Sequence, residues 1–143
     1  MKMRADRLEG PNAISRHGPD GVVVGGVEFV ESVLVPWTGA VEAWPVASFE
    51  ALAEAHFARL AALAPELVIF GSGARLRFVK PALLRPLLDA RIGVETMDTA
   101  AACRTYNVLL AEGRAVLAAL LFETAPSAVG RSGAGSSASS QPL

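Results

Sequence analysis

At 143 residues and a formal net charge of −1, the chain is long enough to bury one hydrophobic core and has no general electrostatic pull toward nucleic acid or anionic lipid. Its hydrophobic fraction of 52% owes much to alanine, and no apolar run approaches the roughly 18 residues that a bilayer span requires. A single cysteine, with only His17 and His56 to join it, excludes an internal disulfide and offers no zinc-binding spacing.

Residues 1–11 carry charges without periodicity and are expected to be flexible. Asp6 and Glu9 argue against an organelle presequence, so a cytoplasmic protein is expected. Three short β-branched segments follow, 22-VVV-24, 27-VEFV-30 and 33-VLV-35, and predict an N-terminal hairpin or meander. Pro36 and Gly39 turn the chain. Ser48 is a suitable N-cap for a helix over 49–63, where Phe49, Leu52, Ala53, His56, Leu60 and Leu63 share one stripe. Beyond Pro65, 67-LVIF-70 is apolar on both faces, as a covered central strand would be. The turn 71-GSG-73 leads into 76-LRF-78, which is read as strand. Residues 82–91 are expected to be helical with an irregular first turn at Pro86. A strand is predicted at 92–97, then a helix capped by Asp98 or Thr99 that stops at Gly113. The last strand is 114-RAVLAALLF-122. After Glu123 the composition turns to Gly, Ser and Ala, and 124–143 is expected to be disordered. A single domain thus spans 12–123.

Strand, helix, strand, helix and strand over 67–122 make an α/β pattern, with a right-handed first crossover if its strands are parallel. Ligands in such sheets bind at the carboxyl ends of the strands. If the strands at 67–70 and 92–97 are neighbours, Gly71, Ser72, Gly73, Arg75, Asp98 and Thr99 share one edge. Cys103 and Asn107, on the helix that follows, complete the candidate pocket. Gly-Ser-Gly can offer amides to an anion, but no G-x-G-x-x-G or Walker sequence is present, and no cofactor is implied.

The runs 70-FGSGARLRF-78 and 91-RIGVETMDTAAACRTYNVLLAEGRAVLAALL-121 resemble the uncharacterised Mth938-like family, which includes mitochondrial NADH dehydrogenase (complex I) assembly factor 3. Segments 12–35 and 43-AWPV-46 are similar to that family's opening. The resemblance covers about residues 12–122 and is most specific from Glu95 to Asn107. It departs at His17-Gly18, where the family has Tyr-Gly, and at Ser72, where Thr is commoner. It implies a three-layer α/β fold around a mixed, mostly parallel sheet and no established catalytic activity. In eukaryotic relatives it implies help in assembling a respiratory complex.

The polar residues of this stretch have structural readings beside functional ones. Cys103 needs a base and a lowered pKa to act as a nucleophile, and otherwise is a small buried hydrophobe. Asp98 and Thr99 suit helix capping. Tyr106 is expected to pack inward with its hydroxyl bonded, and mid-helix Asn107 to bond something specific. His56 reads as a core or boundary residue. Arg75, Arg77, Lys80, Arg85 and Arg91, opposed locally only by Asp89, form a candidate surface for a partner protein; too few aromatics accompany them for nucleic acid. Two function classes follow. One is a non-enzymatic assembly or scaffolding protein serving a respiratory-complex or membrane-assembly component. The other is a small-molecule or anion-binding protein, or a weak enzyme, that uses the strand-end pocket.

Overall fold

Eight strands and three α-helices are laid out over residues 11–123, which the computed structural model describes. The expectations of a flexible 1–11 and a disordered 124–143 fall, except for residue 11, outside the described residues. Strands β1 (Ile14–Gly18), β2 (Gly21–Val24) and β3 (Val27–Phe29) form an antiparallel meander. Strands β4 (Val33–Pro36), β5 (Glu42–Ala43), β6 (Leu67–Gly71), β7 (Gly93–Met97) and β8 (Val116–Leu120) form a mixed sheet in the order β5-β4-β8-β6-β7. In it β6 is parallel to both β7 and β8, while β4 runs antiparallel to β8. The segment 33–35, expected to continue the meander, therefore belongs to the main sheet.

Alternation along the strands sorts the core into two halves. Val116, Ala118 and Leu120 of β8 face one side with Ile69, and Leu117, Ala119 and Leu121 face the other with Val68 and Phe70. Period-two side-chain direction makes this split unavoidable in a strand buried on both faces. The first side is covered by α3 (Thr99–Ala111), through Ala102, Cys103, Tyr106 and Leu110, and by the meander, through Ile14, Val22 and Val24. The second is covered by α1 (Glu54–Ala62), through Phe57 and Leu60, and by α2 (Arg85–Asp89), through Leu87. The result is three layers. The chain steps outward from β6 to β7 through α2, then back past β6 to β8 through α3. Crossovers of one hand taken in opposite directions place their helices on opposite faces.

The helix over 49–63 is interrupted. Phe49–Ala51 is a 3-10 turn, Leu52 is extended (ψ 136), and α1 begins after Ala53. Ser48 makes no side-chain cap. His56 instead accepts the Ala53 amide through Nδ1 at 2.9 Å, the return half of a capping box, since alanine has no acceptor to offer. Its ring lies edge-on to Trp44 at 6.3 Å. The irregular first turn around Pro86 is present: Pro81–Leu84 is 3-10 before α2. Asp98 caps α3 by accepting the Ala101 amide at 2.9 Å. Gly113 ends that helix at φ +81, its amide reaching Leu110 and that of Arg114 reaching Leu109, as in a Schellman motif. The expected strand 76-LRF-78 is irregular and joins neither sheet.

Candidate functional site

The carboxyl ends of the parallel strands β6, β7 and β8 lie along one edge of the sheet, and there α3 begins almost in contact with β6. A Cβ on Gly71 would fall 2.9 Å from the Thr99 Cα, so only glycine permits this approach. Ser72 is buried; its hydroxyl donates to the Arg75 carbonyl at 2.8 Å and accepts the Arg77 amide at 3.0 Å. Gly73, at φ +106, donates its amide to Thr99 Oγ1 at 2.9 Å. Thr99 returns its own amide to the Gly73 carbonyl and donates its hydroxyl to the Leu121 carbonyl at 3.0 Å. The strand ends are thereby laced together by groups that an anion would otherwise use.

Beside this lacing lies a cleft of about 590 Å³, lined by Gly73, Asp98 and Thr99 and, from other elements, by His17, Phe122 and Glu123 among others. Of the candidate pocket, Gly71, Ser72, Gly73, Asp98 and Thr99 come together at this edge. Arg75 is exposed nearby and does not line the cleft. Cys103 and Asn107 lie elsewhere. Cys103 is fully buried in the core beneath α3, and burial pushes its thiol up to about 12, only partly countered by Arg104; such a thiol is a weak nucleophile. Asn107 clamps β1, accepting the Ile14 amide at 2.9 Å and donating to the Ile14 carbonyl at 2.8 Å. Tyr106 is buried, with its hydroxyl 2.9 Å from the Asn12 carbonyl and 3.1 Å from that of Pro36, and burial raises its pKa. Among the described residues, no cluster of three or more His, Cys, Asp or Glu could hold a metal.

The basic segment divides in two. Arg75, Lys80, Arg85 and Arg91 are exposed, and none forms an ion pair among the described residues. Arg77 turns inward. Its side chain is 17% exposed and pairs with Glu123 at 2.9 Å. It also donates to the Ser72 carbonyl at 2.8 Å and lies over the Phe49 ring at 4.5 Å. Its Nε finds no hydrogen-bond partner among the described residues. The other arm of Glu123 accepts the Phe49 amide at 2.8 Å. Burial alone would raise the Glu123 carboxyl, but that amide and the Arg77 guanidinium, with Arg75 nearby, hold it below the usual carboxylate range. Arg77 is therefore a tie between the 49–51 turn, the glycine loop and the end of β8, not a free surface cation. Sequence reasoning missed His17, Phe122 and Glu123 as cleft residues. A useful signal was available at His17-Gly18-Pro19-Asp20, whose turn-forming composition at a strand end projects toward a sheet edge.

The chain matches, over residues 14–121, a family described as a protein of unknown function (DUF498/DUF598). It is 36% identical over 111 residues to NADH dehydrogenase [ubiquinone] 1 alpha subcomplex assembly factor 3 of Bos taurus, a match covering 76% of this chain and 59% of that longer protein. Among solved structures it is similar to a crystal structure of a Bordetella parapertussis protein, with TM-score 0.75 and 38% identity, covering 80% of this chain and 98% of that one. It is similar too to the solution structure of a Bordetella pertussis protein described as a Mth938-like domain, with TM-score 0.70 and 32% identity, covering 78% and 86%.

Proposed function

Because the chain belongs to the DUF498/DUF598 family and has the Mth938-like fold, we propose that it is a non-enzymatic assembly or scaffolding protein that holds a partner protein. The observation that carries this reading is the similarity to an assembly factor over a stretch comparable to the whole of residues 11–123, not over an appendage. The spent hydrogen-bonding groups at the strand ends and the inert thiol of Cys103 support it further. So do Arg75, Lys80, Arg85 and Arg91, which are exposed and form no ion pair among the described residues. The partner is a respiratory-complex or membrane-assembly component, and the protein is cytoplasmic, held near the inner membrane through that partner and not by insertion. No helix among the described residues is long and apolar enough to cross a membrane.

The test is affinity purification of the tagged full chain from its own host after mild cross-linking in detergent, read by mass spectrometry. Enrichment of respiratory-complex or membrane-insertion components, lost when Arg75 and Arg85 are changed to Glu, is the expected result. Arg77 is left untouched, since its reversal would damage the fold. Recovery of the protein alone overturns the reading.

A second reading is favoured by the 590 Å³ cleft, which would take a small molecule. Asp98 and Glu123 on its wall disfavour an anion, so a neutral or cationic ligand suits it better. Asp98→Asn keeps a capping oxygen and removes the charge. If this second reading holds, the variant melts as the parent does and loses the ligand-induced thermal shift.

A further inference from the structure

We propose that the open edge of β7 is the docking site for the partner protein, and that it takes an extended segment, a basic residue between β-branched ones, as a sixth strand of the main sheet. This rests on the scaffolding reading above. Four strands lie at sheet edges, β1 and β3 in the meander, β5 and β7 in the main sheet. Three of them are blunted in the ways that protect edges. Strand β3 has three residues and β5 two. Along β1 the register shifts between Ile14 and Arg16, and Asn107 occupies both backbone groups of Ile14. Strand β7 is five residues long and pairs with β6 without a shift. Its Met97 carbonyl accepts the Ser72 amide at 2.8 Å. Alternation along a parallel ladder therefore turns the backbone groups of Gly93, Glu95 and Met97 toward β6 and those of Val94 and Thr96 away from it. β6 is the neighbour of β7 in the sheet, and no other described residue bonds the Val94 or Thr96 backbone. Two amides and two carbonyls thus stand at strand spacing, the pattern that an added strand completes.

Register and charge select the occupant. Val94 packs against the half of the core that holds Phe57 and Leu60, and Met97 against the other half. Glu95, two residues before Met97, therefore projects with it to the α3 side. It is exposed and forms no ion pair among the described residues. The residue directly opposite it on an added strand points to the same side, where Lys or Arg is favoured and an acid is not. The residues flanking that base fall opposite Val94 and Thr96 and are best β-branched. A second copy fits less well. Two β7 edges paired antiparallel in full overlap set Glu95 against Glu95, like charges directly opposed. Sliding one copy by two residues avoids this but leaves three of the five residues paired. Arg75, Lys80, Arg85 and Arg91 lie outside β7, so the edge adds a contact to that basic surface and does not replace it.

The experiment uses the full chain, labelled for amide NMR, and three end-capped peptides: Thr-Val-Lys-Val-Thr, the same peptide with Glu at its centre, and the Lys peptide with its three central residues N-methylated. Binding of the Lys peptide is expected, with shifts centred on residues 94–96 and slowed hydrogen exchange at the Val94 and Thr96 amides. The Glu peptide should bind roughly fivefold or more weakly, and the N-methylated peptide not at all, since it lacks the donors. Glu95→Lys should reverse the preference between the two charged peptides and leave the melting temperature unchanged, because Glu95 is exposed and unpaired. Thr96→Pro removes an outward amide from an edge strand and should abolish binding of both; if that variant fails to fold, the Glu95→Lys reversal decides alone. Absence of binding by the Lys peptide, equal binding of the Lys and Glu peptides, binding of the N-methylated one, or shifts centred on β3 overturns the proposal. So does self-association in sedimentation that Thr96→Pro abolishes. In the cross-linked purification, a partner retained by Glu95→Lys and by Thr96→Pro removes the edge and leaves the scaffolding reading standing. A wild-type chain recovered alone removes the scaffolding reading itself.

Discussion

Thr99 shows how a residue that sequence assigns to a pocket can be spent on the fold. Its hydroxyl accepts from Gly73 and donates to the Leu121 carbonyl, so one side chain closes the ends of β6 and β8 over the start of α3. Cys103, four residues on, presents the opposite case of a reactive group with nothing to react with. Its thiol, pushed to about 12 by burial, should stay unlabelled by maleimide at mildly alkaline pH in the native protein and react at once in denaturant. Fast labelling of the folded chain would show that the helix opens. The burial of Cys103 was one of two readings open in the sequence, carried by how often a free cysteine is a buried small hydrophobe, while its grouping with the strand-end pocket was not met. The fate of Arg77 was not legible. Among five basic residues in one segment nothing local marks the one that turns inward, since its partners Glu123 and Phe49 lie far away along the chain.

At the scale of elements, legibility follows how local the determining interactions are. Helix α3 was readable from both ends because Asp98 caps its first turn and Gly113 terminates it within a few residues. Strand β1 was not, since its burial leaves only Ile14 inside and no alternation survives to be seen. The extended Leu52 resets the phase of the helix expected over 49–63. Phe57 joins Leu60 as the buried pair of α1, although the continuous stripe had placed His56 there. Asn107 is the long-range counterpart of a cap, holding β1 through both hydrogen bonds to Ile14. Asn107→Ala should cost about 1–3 kcal/mol, as for a buried polar group left unpaired, and should speed hydrogen exchange in β1 and β2 more than in β6 or β8. Uniform exchange across both sheets would mean that the meander is held by its apolar contacts instead.

The whole molecule carries an acid dependence that can be read from three carboxylates. Arg59 lowers Glu42 by direct hydrogen bonding, Arg114 does the same to Glu66, and the Phe49 amide and Arg77 outweigh burial at Glu123. A folded pKa below the unfolded one contributes stability that is complete above the ordinary carboxylate value of 4.5 and is lost as pH falls through the folded value. The melting temperature should therefore be flat near neutrality and decline in acid. Glu123→Gln should lower the plateau and flatten the decline, because Glu123 joins three segments; an unchanged acid limb would assign the dependence to other groups. The α/β alternation itself was legible in the strand and helix order over 67–122, and the three-layer plan came with the family resemblance. The placement of β4 in the main sheet was not legible, because its partner β8 comes only at the other end of the domain. That same placement bears on biosynthesis. As the ribosome emits this chain, β4 and β6 are both made before the strand that must lie between them, and each waits with an open edge. The nascent domain can complete its main sheet only when Val116–Leu120 arrives, so a chain stalled before that point exposes two strongly apolar strands, each with one open edge, to chaperones and to one another.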